Sequence, residues 1–269
     1  RSLRNAIAMD KAPRCVLFSG IRGVGKTTAA RLYAKALNCE GSQAGEACAQ
    51  CTSCQAIKAG THQDVLEIDG ASHNGVDEIR SLRESLGYVA QRSRYRVFII
   101  DEAHMLSMSA FNALLKVLEE TPTHVFFIFA TTEKQKVPKT VLSRCQSFLL
   151  QKISLKALVA RLELVLQKEK IDFEADALVL IAKQGRGSMR DALTLLDQVI
   201  AFADGKVSLT ALRHLMPALN VETYFEFLFG LVEKKPKIFL QIARRLQEEG
   251  LDFSDFIEEA ATYCRHAFV

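Results

Sequence analysis

The chain has 269 residues, of which 49% are hydrophobic and 25% charged, and its formal net charge is +4. This composition is that of an ordinary soluble protein, long enough for two or three domains with a large buried core. A net charge of this size does not indicate nucleic-acid binding by itself, so any such contact must come from local patches. Because the sequence starts at Arg1 without a methionine and ends within an amphipathic pattern, we expect a fragment of a longer protein.

A glycine-rich motif directly follows the apolar run Cys15 to Phe18. Residues 20–27 read GIRGVGKT, the GxxxxGKT spacing of a phosphate-binding P-loop between a strand and a helix. Glycines allow a tight turn that points backbone N–H groups at phosphates, and the positive end of the following helix adds to the attraction. Lys26 is predicted to bind the β- and γ-phosphates of ATP or GTP, and Thr27 to bind Mg²⁺. The predicted nucleotide-binding residues are Gly20, Ile21, Arg22, Gly23, Val24, Gly25, Lys26, Thr27 and Thr28.

A second motif consists of four apolar residues followed by Asp101 and Glu102. Such a run predicts a buried parallel strand, whose carboxyl end lies at the edge where open α/β sheets bind ligands. We therefore predict that Asp101 holds Mg²⁺ and that Glu102 orients or deprotonates the attacking water. The alternative is an acidic cap at the end of a buried strand. His104 follows closely, but local hydrogen bonding would explain it, and we assign it no catalytic role.

Four cysteines cluster after the helix predicted behind the P-loop; they are Cys39, Cys48, Cys51 and Cys54. Their CxxC spacings are typical of a tetrahedral zinc site, and two disulfides are the alternative. The sequence has no secretory signal or transmembrane run, which together with the nucleotide motif indicates a reducing cytoplasm, where disulfides are rare. We expect a structural zinc site. The other three cysteines are isolated in sequence and are predicted to be ordinary buried residues; these are Cys15, Cys145 and Cys264.

Strand-like and helix-like patterns alternate from Cys15 to Leu150, which predicts an α/β fold with a mostly parallel, covered sheet. The strands expected besides the first are residues 64–69, 95–101, 125–131 and 146–150. Helical spacing is found at residues 28–36, 76–83 and 111–119, the last ending before Thr121-Pro122 as proline requires.

After Leu150 we expect no further strands. Helices predicted at residues 155–169, 175–185 and 188–203 form a small bundle that would suit a nucleotide-responsive lid, and Gly205 marks a boundary. More helices follow Leu209, among them residues 224–234 and 238–248.

Three short motifs, taken with the P-loop, the cysteine cluster and Asp-Glu-Ala-His at residues 101–104, indicate a family. They are Ala-Thr-Thr at residues 130–132, Leu-Ser-Arg-Cys at 142–145 and Gly-Ser-Met-Arg-Asp-Ala at 187–192. This set resembles the gamma/tau subunits of bacterial DNA polymerase III clamp loaders, which are AAA+ ATPases. The resemblance is dense from Ala12 to Ala203 and looser beyond. It implies an AAA+ P-loop NTPase domain over residues 1–151 with a zinc module at 39–54, a helical lid over 152–207, and the start of a helical collar over 208–269.

The resemblance also implies roles for three residues outside the two nucleotide motifs. Thr132 takes the sensor-1 position near the γ-phosphate, Arg190 takes the sensor-2 position on the lid, and Arg144 becomes an arginine finger for the neighbouring subunit. A trans arginine of this kind changes hydrolysis ~10³- to 10⁵-fold, which would make turnover depend on ring assembly. Surface or capping salt bridges are the alternative for both arginines.

By the same resemblance, the chain is an ATPase subunit of the DNA polymerase III holoenzyme that uses ATP, Mg²⁺ and Zn²⁺. Its implied partners are delta- and delta-prime-type subunits, further copies of itself, the sliding clamp and primed DNA, in the cytoplasm and without a membrane. Residues 71–75 and nearby arginines are candidates for contacts with DNA phosphates, with an exposed basic helix face as the alternative. The arginines are Arg80, Arg83, Arg92, Arg94 and Arg96.

Two other functions stay open at this point. A nucleic-acid helicase is suggested by GxGKT with Asp-Glu-Ala-His and by Gln-Gly-Arg-Gly at residues 184–187, but only helices are expected after Leu150, where a second RecA-like domain would be needed. A scaffold that binds nucleotide without hydrolysing it is the other, and it requires a defect that neither nucleotide motif shows.

Overall fold

The computed structural model describes residues 2–42, 44–72, 75, 90–203, 205–215, 221–248 and 250–267. The helix predicted at residues 76–83 lies outside these ranges, as do four of the candidate DNA-contact residues, His73, Asn74, Arg80 and Arg83. The chain divides into two compact units, one with residues 1–165 and 179–195 and the other with residues 166–178 and 196–269. The division into nucleotide-binding, lid and collar domains stays a prediction.

The first unit is built on a five-stranded sheet with the order β2-β3-β4-β1-β5, in which all neighbouring strands are parallel. Its strands are β1 (Cys15–Ser19), β2 (Val65–Asp69), β3 (Arg96–Asp101), β4 (Val125–Thr131) and β5 (Gln146–Leu149). The predicted parallel α/β sheet is therefore confirmed, with strand ends close to the expected ones. The carboxyl ends of the strands all lie at one edge of the sheet, where the P-loop follows β1 and the acidic pair ends β3.

Helices cover both faces of this sheet. The early helices are α1 (Ser2–Ala8), α2 (Lys26–Asn38), α3 (Thr52–Ala59), α4 (Met108–Glu119) and α5 (Lys139–Leu142), and short 3₁₀ turns occupy Ala103–Met105 and Lys134–Lys136. The three helices predicted for the lid are observed as α6 (Leu155–Glu169), α7 (Ala175–Gln184) and α8 (Met189–Phe202). These three helices agree with the sequence prediction to within one residue at each end.

The three inner strands, β1, β3 and β4, are largely apolar because both faces of the sheet are buried there, whereas the edge strands β2 and β5 carry polar residues and are more exposed. Successive side chains of a strand point to opposite faces. On one face Phe98 and Phe127 pack in a layer with Leu114 of α4, and on the other Ile99 packs in a layer with Tyr33 of α2. All seven residues of β4 are buried. Continuous apolar runs of this kind are what a covered parallel sheet requires.

In the part of the second unit that the structure describes, two short strands and four helices follow or adjoin the ends of α6, α7 and α8. They are β6 (Asp172–Phe173), β7 (Lys206–Val207), α9 (Leu209–Leu215), α10 (Val221–Val232), α11 (Pro236–Glu248) and α12 (Phe253–Ala267). The expectation that strands stop after Leu150 was wrong, since β6 and β7 pair in parallel. Strands of two residues are too short for any periodic signal. Tyr224, Ile242 and Phe256 form the core among α10, α11 and α12.

Cys15 and Cys145 form a disulfide, so the prediction that both are isolated, ordinary buried residues was wrong. Pairing of β1 with β5 sets Val16 beside Gln146 and thereby brings together two cysteines that are 130 positions apart. Sequence spacing gives no sign of such a pair, because it depends on strand order and register. Cys264 is a free, half-buried cysteine. Among the described residues, none of the helices combines the length and hydropathy that crossing a membrane requires.

Candidate nucleotide site and cysteine cluster

The P-loop between β1 and α2 uses left-handed backbone at two glycines. Gly23 has φ 75° and Gly25 has φ 95°, values that residues with side chains rarely adopt. Gly23 has a second reason to lack a side chain, since a Cβ there would lie 2.0 Å from Ser188 Oγ. The loop leads into α2 at Lys26, so the first N–H groups of that helix face the loop, the arrangement that binds phosphates. Of the other predicted loop residues, Val24 is buried and the exposed ones are Ile21, Arg22 and Thr28.

Lys26 is only 6% exposed although it carries a charge. Its Nζ donates to the carbonyl of Ile21 at 3.1 Å, within the same loop. Burial lowers the pKa of Lys26, and the positive charge of Arg190 lowers it further. The negative charges of Glu102 and Asp101 act in the opposite direction. The structure therefore brings both nucleotide motifs and the predicted sensor-2 arginine into one electrostatic environment.

Thr27 and Asp101 are in direct contact across the sheet edge. Thr27 Oγ1 donates to Asp101 Oδ2 at 2.5 Å, although the two residues are 74 positions apart. Hydroxyl, carboxylate and phosphate oxygens are the ligands that Mg²⁺ takes in nucleotide sites. The donor set thus fits a magnesium ion, with Thr27 and Asp101 as the residues that would hold it.

Glu102 has a strained backbone and lies against the predicted sensor-1 residue. Its φ of 43° and ψ of 45° are left-handed, which costs of order 1–3 kcal/mol in a residue other than glycine and is concentrated at functional sites. Its N–H donates to Asp101 Oδ1 at 2.9 Å, and its carboxylate accepts from Thr132 Oγ1 at 3.2 Å. The carboxylate is therefore oriented by the end of β4 as well as by its own chain segment.

Gly70, the residue after β2, packs against the backbone of this acidic pair. Its N–H donates to the carbonyl of Asp101 at 2.8 Å. A Cβ at this position would lie 2.8 Å from the carbonyl oxygen of Glu102 and 3.0 Å from that of Asp101. Only glycine fits this close approach.

His104, which was given no catalytic role from the sequence, lies beside Glu102 and makes hydrogen-bonding contacts there. Its side chain is 8% exposed, with Nδ1 3.4 Å from Glu102 Oε2 and Nε2 3.4 Å from Glu133 Oε1. Nδ1 also lies 3.1 Å from Thr131 Oγ1, within hydrogen-bonding distance. These contacts join the turn after β3 to the end of β4. The sequence signal that could have placed His104 here is its position. It is the third residue after β3, and a short turn after a strand brings such a residue back to the edge of the sheet.

The start of α8 contacts the P-loop through the main chain. Ser188 is buried and caps the helix, its Oγ accepting from the N–H of Asp191 at 3.2 Å. The N–H of the next residue, Met189, donates to the carbonyl of Gly23 at 3.0 Å. Glycine followed by serine predicts the start of a helix, but nothing in the sequence indicates that this start meets the P-loop.

Arg144 lies apart from the other predicted site residues. It precedes β5, whose first residue pairs beside Val16 near the start of β1, whereas the P-loop follows the last residue of β1. At ~3.3 Å per residue, that separation places the backbone of Arg144 about 15 Å from the P-loop of its own chain, beyond the reach of an arginine side chain. Its guanidinium instead contacts Glu119 Oε1 at 2.5 Å and donates to the carbonyl of Thr140 at 2.7 Å.

The four clustered cysteines are free thiols with all sulfurs within 4.8 Å of one another, so the structure does not adopt the two-disulfide alternative. A tetrahedral zinc ion with Zn–S bonds of about 2.3 Å separates its sulfurs by about 3.8 Å, and those of Cys39 and Cys51 are 4.0 Å apart. Cys51 also caps α3 by accepting from the N–H of Cys54. Backbone N–H donors from Gln50 and Cys51 lower the pKa of the Cys48 thiol to about 6. The cluster therefore fits zinc.

Three of the candidate DNA-contact arginines are described, and they precede or begin β3; they are Arg92, Arg94 and Arg96. The buried carboxylate of Asp64 holds this segment by accepting from two backbone N–H groups and one hydroxyl of residues 91–93, at 2.8 to 3.0 Å. Arg94 pairs with Asp10 at 2.9 Å. The segment is thus anchored by its backbone, and the Arg94 guanidinium is paired with a carboxylate of its own chain.

Comparison with known proteins gives matches along nearly the whole chain. A family model described as "DNA polymerase III, delta subunit" matches residues 1–154, and one described as "DNA polymerase III clamp loader subunit, ATPase lid domain" matches residues 157–205. The chain is 42% identical over 265 residues to DNA polymerase III subunit tau of Bacillus subtilis, covering 98% of the chain and 47% of that relative. It is 38% identical over 265 residues to DNA polymerase III subunit gamma of Buchnera aphidicola, covering 98% and 73%. The chain spans about half the length of the tau relatives it matches.

Among solved structures, RuvB from Thermotoga maritima, titled a Holliday junction branch migration motor, has a similar fold. Its TM-score is 0.58 at 15% identity, covering 93% of this chain and 79% of RuvB. At an identity this low, the similarity is evidence for the fold alone.

Proposed function

Because the chain belongs to the family of DNA polymerase III gamma and tau subunits, we propose that it is the ATPase motor of a replicative clamp loader, which loads a sliding clamp onto primed DNA. Its fold is that of an AAA+ P-loop ATPase with a helical lid. The observation that carries the proposal is the joining of both nucleotide motifs at one sheet edge, through the Thr27–Asp101 and Glu102–Thr132 hydrogen bonds.

In this proposal the P-loop binds the phosphates of ATP. The N–H groups at the start of α2 point at them, and Lys26 replaces its bond to the carbonyl of Ile21 with bonds to phosphate oxygens. Thr27 and Asp101 would hold Mg²⁺, which when bound would neutralise phosphate charge. Glu102 orients or deprotonates the attacking water, and its contact with Thr132 keeps the carboxylate at the edge where the γ-phosphate would lie.

Arg190 would report which nucleotide is bound. Its charge already acts on Lys26, and the residue before it is hydrogen-bonded to the P-loop carbonyl of Gly23. A change in the P-loop on nucleotide binding is therefore passed directly to the first turn of α8. Such a link can favour one lid position over another only if ATP and ADP interact differently with the two positions, and a γ-phosphate bound by Arg190 provides that difference.

Arg144 would act in trans, as an arginine finger for the site of a neighbouring subunit. Support comes from the topology. Arg144 precedes β5, at the amino ends of the strands, whereas the P-loop of its own chain follows β1, at their carboxyl ends. Hydrolysis would then depend on assembly with delta- and delta-prime-type subunits and further copies of this chain. ATP is the proposed nucleotide, and primed DNA the trigger of hydrolysis.

We further propose that the cysteine cluster binds one structural zinc ion and that the protein acts in the cytoplasm. The four sulfurs lie close enough together for a single ion, and an ion bound by residues 39, 48, 51 and 54 would fix the segment between α2 and α3.

The test is steady-state ATPase activity of the full-length protein assembled with its partner subunits, with and without clamp and primed DNA. We expect stimulation by clamp plus primed DNA, and loss of that stimulation in Arg144→Ala. Lys26→Ala serves as the control for nucleotide binding. Stimulation by DNA alone without clamp would contradict the clamp-loader proposal and favour a helicase, whereas an unaffected Arg144→Ala loader would contradict the trans role of Arg144.

A further inference from the structure

We propose that Glu119 is a positioning residue that holds the guanidinium of Arg144 ready for the neighbouring site. This inference rests on the proposed function, in which Arg144 acts in trans. Neither residue belongs to the two nucleotide motifs. Glu119 is the last residue of an amphipathic helix, and no sequence motif distinguishes it there.

Three groups of the same chain hold the Arg144 guanidinium from two sides. Nη2 donates to Glu119 Oε1 at 2.5 Å, a charge-assisted bond. Nη1 donates to the carbonyl of Thr140 at 2.7 Å and lies 3.5 Å from Ser143 Oγ. The carbonyl alone would leave the group free to turn about its bond to Nη1. The carboxylate adds a second fixed point on the other terminal nitrogen, which restricts that rotation.

These contacts leave part of the guanidinium available. Arginine has five N–H donors in a planar fork, and the three contacts described above involve two acceptors at Nη1 and one at Nη2. The Arg144 side chain is 32% exposed, so it is partly open to a partner. The Arg144 guanidinium is thus preorganised rather than fully occupied by acceptors of its own chain. Its remaining N–H donors can bind a further acceptor such as a phosphate oxygen.

Both holding elements are firmly attached to the sheet. Glu119 is the last residue of α4, next to the buried Leu118, and α4 packs against the sheet through Leu114. Thr140 belongs to α5, whose Val141 is fully buried in the same apolar layer. The carboxylate of Glu119 is thus fixed relative to the turn that carries Arg144.

The ion pair has little to do with folding stability. Both side chains are substantially exposed, at 32% for Arg144 and 52% for Glu119, and ion pairs this exposed contribute little to the free energy of unfolding. A large functional effect of neutralising Glu119 would therefore come from the orientation of Arg144.

The experiment uses Glu119→Gln in the full-length protein assembled with its partner subunits, clamp and primed DNA. Glutamine keeps the shape of the side chain and removes its charge. We expect kcat for ATP to fall about tenfold, as is typical when a residue that orients a functional group is lost, with KM unchanged because nucleotide binding does not involve this residue. The melting temperature should change by no more than about 2 °C. The matched control is Glu120→Gln, which neutralises the exposed neighbouring carboxylate and should retain wild-type kcat.

A double variant separates positioning from other effects. If Glu119 acts only through Arg144, adding Glu119→Gln to Arg144→Ala should lower kcat no further. Unchanged or increased kcat in Glu119→Gln, or an additive loss in the double variant, would overturn the inference. An Arg144→Ala loader with full activity would instead show that the arginine-finger role itself is wrong, so the two failures can be told apart.

Discussion

Replacing Gly23 with alanine tests whether the start of α8 packs directly against the P-loop. A Cβ at Gly23 would lie 2.0 Å from Ser188 Oγ and 3.1 Å from Arg190 Cβ, at a backbone φ of 75°. The methyl group cannot fit unless the first turn of α8 moves away. Gly25→Ala is the matched control, because its φ is 95° but the nearest atom to its Cβ would be Thr28 Cβ at 4.0 Å.

The cost of Gly23→Ala can be worked from these contacts. A left-handed alanine costs about 1 kcal/mol in either variant. Moving the first turn of α8 also breaks the bond from the N–H of Met189 to the carbonyl of Gly23, worth about 1 kcal/mol. It further disturbs the Ser188 cap, worth about 1 kcal/mol. We expect a total of about 3 kcal/mol for Gly23→Ala against about 1 kcal/mol for Gly25→Ala, and a difference of about 2 kcal/mol is roughly 30-fold in an opening equilibrium.

The assay is amide hydrogen exchange at Met189, measured by NMR in the nucleotide-free protein. Exchange of this N–H should be roughly 30-fold faster in Gly23→Ala than in Gly25→Ala. Adding Ser188→Gly to Gly23→Ala removes the clashing oxygen and weakens the cap by only a few tenths of a kcal/mol, so it should restore most of the protection. Equal exchange in the two glycine variants, or no rescue, would refute the close approach of Ser188 to the P-loop.

Two further predictions concern pH and metal. Burial of Asp64 opposes ionisation, but the N–H groups of residues 91 and 92 and the Ser93 hydroxyl lower its pKa below the ordinary value. Its stabilisation is therefore complete above the unfolded-state pKa and is lost as pH falls through the lower folded-state pKa. Asp64→Asn should cost about 2 kcal/mol in urea unfolding at pH 7 and progressively less below about pH 4, whereas a constant difference across pH would contradict the assignment. Zinc measured by atomic absorption should be one ion per chain in the wild type and in Cys264→Ser, and should be lost in Cys51→Ser; an unchanged zinc content in Cys51→Ser would exclude the four-cysteine site.

Elements with strong local signals were predictable from the sequence. β3 and β4 are buried on both faces, so they appear as continuous apolar runs, and α6 has a clear helical period over its whole length. α3 was missed although it begins at a cysteine cap, because it has only eight residues and its first turn overlaps the cysteine cluster, which was interpreted as a metal site. β6 and β7 depend on pairing with each other and are invisible in either segment alone.

The candidate site shows the same division between local and tertiary information. The P-loop and the acidic pair are defined by spacing, and their meeting through Thr27 and Asp101 follows from parallel strands ending at one edge. Three contacts join residues that are distant in sequence. They are the packing of α8 against Gly23, the contacts of His104 with β4, and the ion pair of Glu119 with Arg144. Each depends on helix placement over the sheet, which hydrophobic periodicity does not specify.

Gly70 has an implication for how sequence variation in this protein should be interpreted. The residue is absent from both nucleotide motifs, yet a side chain there would press on the carbonyl oxygen of Glu102. We expect substitutions at position 70 to behave as catalytic-site variants in genetic screens, with normal amounts of folded protein and impaired turnover. Gly70 also directly precedes residues 71–75, the stretch considered for DNA contact, and its N–H is hydrogen-bonded to the carbonyl of Asp101, the residue before Glu102. A displacement of Gly70 would therefore be transmitted to the segment that carries Glu102, the predicted general base, through this single hydrogen bond.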